Sequence, residues 1–171
     1  FALMVPAEAH PSLMTAAGAA QGFAHPFTGL DHTLAMVAVG LWAAALGGRA
    51  LWLVPGAFVA AMLVGAGLAV AGVAMPIAEL MVIASVVTLG ALALTRVRMP
   101  IAAAMGLAAV FAIAHGHVHG TEMPITSSGL AYAAGFVAAT ALLHGAGVLL
   151  AVAGRRYLTS AAAAAHDAPA T

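Results

Sequence analysis

The run LWLVPGAFVAAMLVGAGLAVAGV, residues Leu51 to Val73, decides the fold class. It carries no ionisable side chain and is as long as the roughly 20 apolar residues a helix needs to span a bilayer. It also lacks the period-two polar alternation of a membrane β-barrel strand. Four further apolar runs flank it: Thr28 to Leu46, Ile77 to Thr95, Ile101 to His117 and Leu130 to Ala153. The 171-residue chain is 64% hydrophobic and only 6% charged, whereas soluble domains carry about 25% charge. These features predict an all-α, polytopic transmembrane helix bundle of about five spanning helices, in one domain over residues 10–154.

The breaks between runs have local causes. Gly47-Gly48 closes the first run, and Met75-Pro76, Met99-Pro100 and Met123-Pro124 separate the others. A proline in the first turn of a helix loses no hydrogen bond, because that N–H has no intrahelical partner. The Met-Pro-Ile triplets start at Met75, Met99 and Met123, a spacing of one helix plus one turn, and nothing between them matches as a repeat. Connections this short predict antiparallel neighbours.

Ionisable residues sort by end. If the five runs cross a membrane, Arg49, Arg96, Arg98, Arg155 and Arg156 fall on one side. His25, Asp31, His32, Glu79, His115, His117, His119 and Glu122 fall on the other. Arginine in short loops favours the cytoplasmic face. A bacterial inner-membrane protein is therefore expected, with a periplasmic N-terminus and a cytoplasmic C-terminal tail over residues 155–171. Trp42 and Trp52 flank the Gly47–Arg49 turn, as an interfacial aromatic belt would. Phe1 to Val5 followed by Ala7-Glu8-Ala9 reads as a signal-peptide remnant over residues 1–9, with cleavage leaving His10 first. The zero net charge and absent basic patch argue against nucleic acid as a partner. Without cysteine, thiolate metal sites, iron–sulfur clusters and disulfides are excluded.

Two clusters carry chemistry. In the first, His25 to His32, a helix opened by Pro26 would set the two histidines seven residues apart on one face, with Asp31 about 100° away from His32. Asp31 would then bind an ion through a distortion at Gly29, or orient an imidazole from behind. In the second, His115, His119 and Glu122 follow the i, i+4, i+7 spacing of one helix face, and His117 points elsewhere. Gly116 and Gly120 form a small-xxx-small pair that admits a close neighbouring helix. Imidazole and carboxylate without sulfur suit divalent Ni, Co, Zn, Cu or Fe. The blander alternative is histidines bonded to backbone carbonyls at helix ends.

Glu79 is expected either to receive an ion or to complement a helix N-terminus. Ser85 lies six residues deeper on the same run. His144 is the sole candidate for a later step along a path, against an equally good reading as a hydrogen bond to a neighbouring helix. His10 and His117 are further candidate ligands. Met36, Met62, Met81 and Met105 read as packing, and His166 in its Ala-rich tail is assigned no role.

The two clusters resemble the signatures of the HupE/UreJ family of hydrogenase and urease accessory membrane proteins. The first signature, a His, five residues and Asp-His, is matched by His25, Asp31 and His32. The second, Phe-His-Gly, two residues, His-Gly, one residue, Glu, is matched by His115, Gly116, His119, Gly120 and Glu122, with Ala114 in place of Phe. Leu34-Ala35-Met36, Gly40-Leu41-Trp42, Pro76 with Glu79, and Ala141 to His144 are similar too, so the resemblance runs from about Gly22 to Gly154. It implies a permease for Ni2+ or Co2+ supporting metalloenzyme maturation, not an enzyme, with Zn2+ and Cu2+ also compatible with the ligands. His25, Asp31, His32, His115, His119 and Glu122 are the metal ligands it implies. Family members typically continue into another apolar helix, whereas Arg155-Arg156-Tyr157 here leads to Ala161–Ala165 and a polar end. Two other classes stay open: a small structural subunit of a larger membrane complex or homo-oligomer, and a haem or redox protein. Hydrolase motifs such as His-Glu-x-x-His and Gly-x-Ser-x-Gly are absent.

Overall fold

A computed structural model of the chain describes residues 11–123 and 128–166, which contain helices and no strand. The elements are α1 (Pro11–Ala24), a 3-10 turn (His25–Phe27), α2 (Leu30–Leu46), α3 (Ala50–Val70), α4 (Ala78–Thr95), α5 (Ile101–Thr121) and α6 (Gly129–His166). His10, the segment 1–9 and Pro124 lie outside the described residues.

Helices α3, α4, α5 and α6 are long and apolar enough to cross a membrane, and the bent pair of α1 and α2 makes a fifth candidate. Their outward faces agree: Leu80, Ile83, Val87 and Leu94 of α4, and Leu142, Leu149 and Leu150 of α6, are exposed. Large apolar side chains exposed along whole helices suit lipid. The chain is a multi-pass membrane protein.

The core is filled by Trp42, Phe58, Met36, Met62, Leu89, Val39 and Val54, all fully buried or nearly so. Around it, small residues let helix backbones approach. A Cβ added to Gly116 of α5 would strike the Met62 carbonyl of α3, and one added to Gly65 of α3 would strike the Ile113 carbonyl of α5. Gly40 of α2 and Gly147 of α6 meet the His144 and Val37 carbonyls in the same reciprocal way. Gly22 of α1 and Gly135 of α6 meet those of Tyr132 and Ala19. The small-xxx-small reading of Gly116 and Gly120 therefore describes the α3–α5 contact.

Four details depart from the expected spans. The first helix does not open at Pro26: Pro26 is buried in the 3-10 turn, Gly29 is extended (φ −112, ψ 126), and α2 begins at Leu30. The chain turns through 81° there. Ahead of the bend, α1 is a helix the apolar runs did not signal. It packs against the first turns of α6 through Gly18, Gly22 and Gly135. Helix α5 persists through Thr121, past the expected end at His117. Finally, α6 does not stop near Ala153. It runs for 38 residues from Gly129 through Arg155 and Arg156 to His166, because no proline interrupts residues 155–166 and Ala161–Ala165 favour helix. At 1.5 Å per residue it is about 57 Å long, well beyond a hydrocarbon core of about 30 Å. The turn between α2 and α3 needs left-handed backbone at Gly47 (φ 75) and Gly48 (φ 53), which explains that glycine pair.

Candidate metal site

The bend between α1 and α2 brings His25 and His32 to the C-terminal end of α5. Two groups of donors form there: His32, His115 and His119, all buried, and His25, His119 and Glu122, at the rim. Within each group the ligand atoms lie within 4.8 Å of one another. Two nitrogens on opposite sides of a transition metal stand about 4.2 Å apart, twice a bond of about 2.1 Å, so modest closure of the rings suffices. His119 belongs to both groups. Its ring lies 4.0 Å from that of His32, 4.2 Å from Phe136 and 4.9 Å from His25.

The cluster has a defined hydrogen-bond order. His25 Nε2 lies 3.0 Å from Glu122 Oε2, and His119 Nδ1 lies 3.8 Å from the same oxygen. His32 Nδ1 and His115 Nδ1 are 3.0 Å apart. On the far side of its ring, His115 Nε2 is 2.8 Å from Ser85 Oγ, and the Ser85 hydroxyl donates to the Val82 carbonyl at 2.6 Å. The single hydroxyl proton is thus committed, so His115 Nε2–H is the donor to Ser85. That tautomer leaves a lone pair on His115 Nδ1, facing His32 and the centre of the cluster. A serine behind an imidazole, fixing which nitrogen is free, is the arrangement that orients metal ligands from behind.

His119 is different. It is 3% exposed, and neither ring nitrogen has a hydrogen-bond partner among the described residues. An unsatisfied buried polar group costs about 1–3 kcal/mol. The cost falls on the residue that both donor groups share, which is where a cation would relieve it.

The chain matches the HupE / UreJ protein family over residues 1–169. It belongs to that family. It is 46% identical over 151 residues to Protein HupE of Rhizobium leguminosarum bv. viciae, an alignment covering 88% of this chain and 79% of that protein. No solved structure matches. The family match extends beyond the Gly22–Gly154 stretch over which the two signatures and their surroundings were legible.

Of the six ligands implied by the HupE/UreJ signatures, the structure brings five together: His25, His32, His115, His119 and Glu122. Asp31 stands outside both donor groups and accepts a hydrogen bond from the His32 backbone N–H at 2.9 Å. His25 and His32 converge because the chain bends between them, not because they share a helical face. His117 takes the blander reading, its buried Nε2–H donating to the Val73 carbonyl at 2.7 Å across to the end of α3. Glu79 is exposed in the first turn of α4, outside the donor groups. His144 lies deeper in α6, away from the cluster, also with neither ring nitrogen bonded. Sequence reasoning missed the role of Ser85. Its signal was a serine inside an apolar helix; it is fully buried and its partner lies 30 positions away.

At the opposite end, Arg96, Arg98 and Arg155 line one groove with Leu41, Ala45 and Leu158. Arg155 donates to the Ala44 carbonyl at 2.9 Å, and the Trp42 indole donates to the Val97 carbonyl at 3.3 Å. These contacts gather the arginine-bearing turns at one end of the bundle.

Proposed function

We propose that the protein captures Ni2+, or Co2+, from the periplasmic side of a bacterial inner membrane and carries it inward for metalloenzyme maturation. The observation that carries this reading is His119: buried, without a hydrogen-bond partner, and common to two converging donor groups. Its neighbours are nitrogen and carboxylate donors with no sulfur, the set that suits late divalent transition metals. The HupE/UreJ resemblance directs the choice within that set to nickel or cobalt. The arginine end supports a cytoplasmic C-terminus by the positive-inside rule, which turns the donor cluster to the periplasm.

In this reading Glu122 and His25, at the rim, meet the hydrated ion first. Glu122 supplies the negative charge that attracts it. His119 then passes it to the drier group of His32 and His115, where the Ser85-fixed tautomer presents Nδ1. His25, His32, His115, His119 and Glu122 are the ligands, and Asp31 holds the start of α2 so that His32 faces inward. Radiolabelled Ni2+ uptake into cells or proteoliposomes tests the assignment. His32→Ala and His119→Ala are each expected to collapse uptake, and undiminished uptake in both sinks it.

A further inference from the structure

His144 sits midway along α6 and is 3% exposed, and neither of its ring nitrogens meets a donor or acceptor among the described residues. The interhelical hydrogen bond that would make it a structural residue is therefore not present. Its own backbone is engaged, since the His144 carbonyl packs against Gly40 of α2, and this holds the residue in place while leaving the imidazole unused.

What separates it from the outer cluster is one ring. Phe58 of α3 stands 5.6 Å from His115 and 5.3 Å from His144, edge-on to the latter at 88°. One turn outward, Thr140 and Met62 face each other, hydroxyl to thioether sulfur at 3.9 Å. On its other side, His144 borders a groove between α3 and α6 that also runs along Trp52, Pro55, Gly56 and Gly145. Gly56 and Gly145 have open space where a side chain would be. Both glycines are exposed, so this groove opens on the outside of the bundle, whereas Phe58 itself is fully buried beside the two histidines.

We propose that His144 is a second, transit ligand for the divalent ion, reached from His115 when the Phe58 ring swings aside. This rests on the uptake reading and extends it by a step. The ion leaves the histidine-rich outer site for a place with one imidazole and only weak neutral donors. Such a place binds too poorly to trap the ion, as a transit position requires. Phe58 keeps the two positions from sharing an ion at rest.

The test separates binding from passage. Purified wild type, His144→Leu and His144→Gln are compared by calorimetric titration with NiCl2, by thermal denaturation, and by radiolabelled Ni2+ flux into proteoliposomes. His144→Leu is expected to bind Ni2+ like the wild type and to melt no lower, because it removes two unpartnered nitrogens. Its flux is expected to fall about tenfold or more, the scale on which metal-site residues act. His144→Gln, which keeps hydrogen-bonding capacity but is a poor nickel ligand, is expected to stay as inactive. Wild-type flux in His144→Leu overturns the proposal, as does recovery in His144→Gln, or loss of flux accompanied by loss of binding or of thermal stability. If the wild type neither binds nor transports Ni2+, it is the uptake reading that falls.

Discussion

The two ends of α5 are built from the same small residues and put them to opposite uses. Toward the arginine end, Ala104, Ala108 and Ala112 form a buried stripe that packs against apolar neighbours and carries no polar atom beyond the backbone. Toward the C-terminal end the stripe continues as Gly116 and Gly120, but His115 and His119 now alternate with them, and both are buried. Small residues at the first end make a plain helix contact. At the second they draw α3 against the α5 backbone, while His115 reaches His32 of α2 and Ser85 of α4, and His119 reaches His32 and Phe136 of α6. The charges divide the same way. The arginines at one end are exposed, whereas the imidazoles at the other turn inward. Along α5, burial of polar side chains, which a membrane makes costly, is confined to the end that meets the other donors.

Five substitutions would break or sharpen that contrast. The largest effect is expected from Gly116→Leu, which drives a side chain into the Met62 carbonyl. A stability loss of about 3 kcal/mol or more is expected in thermal or denaturant unfolding. Gly106→Ala, at the other end of the same helix with open space around it, should instead gain up to about 1 kcal/mol. Next comes His119→Ala, which removes the imidazole common to both donor groups. Affinity for Ni2+ or Co2+ should fall at least about 100-fold in a competition assay, more than the 10–100-fold typical of residues behind a ligand. Ser85→Ala falls in that lower range of about 10–100-fold, because His115 loses the partner that fixes its tautomer. The smallest effect belongs to Arg155→Ala. It loses one part-buried hydrogen bond to Ala44 and is expected to cost about 1 kcal/mol or less and to leave metal affinity unchanged. A large loss of metal binding from Arg155→Ala would erase the division between the ends.

Much of this was written in the sequence. Long apolar runs free of charge name their own helices, and i, i+4, i+7 spacing put His115, His119 and Glu122 together before any coordinates. The bend at Thr28–Gly29 was hidden, because Pro26 reads equally well as the first residue of a helix and as part of a 3-10 turn. α1 was hidden because PSLMTAAGAAQGFA is neither a continuous apolar run nor flanked by strong caps. It is helical through its contact with α6. Asp31 has the residue type and the signature position of a ligand, but its use as a backbone acceptor depends on where α2 starts. The Ser85–His115 pairing depends on how α4 and α5 face each other, which periodicity along one helix does not contain.

The reciprocal glycine contacts carry one further consequence. They clamp α1 and α2 to α6, and α3 to α5, each by backbone lodged against backbone. The bundle thus has two stiff blocks, and its donors are divided between them: His25 and His32 on one, His115, His119 and Glu122 on the other. Phe58 and His144 face each other across the same seam. An ion held at the histidine cluster would take donors from both blocks and so tie them together.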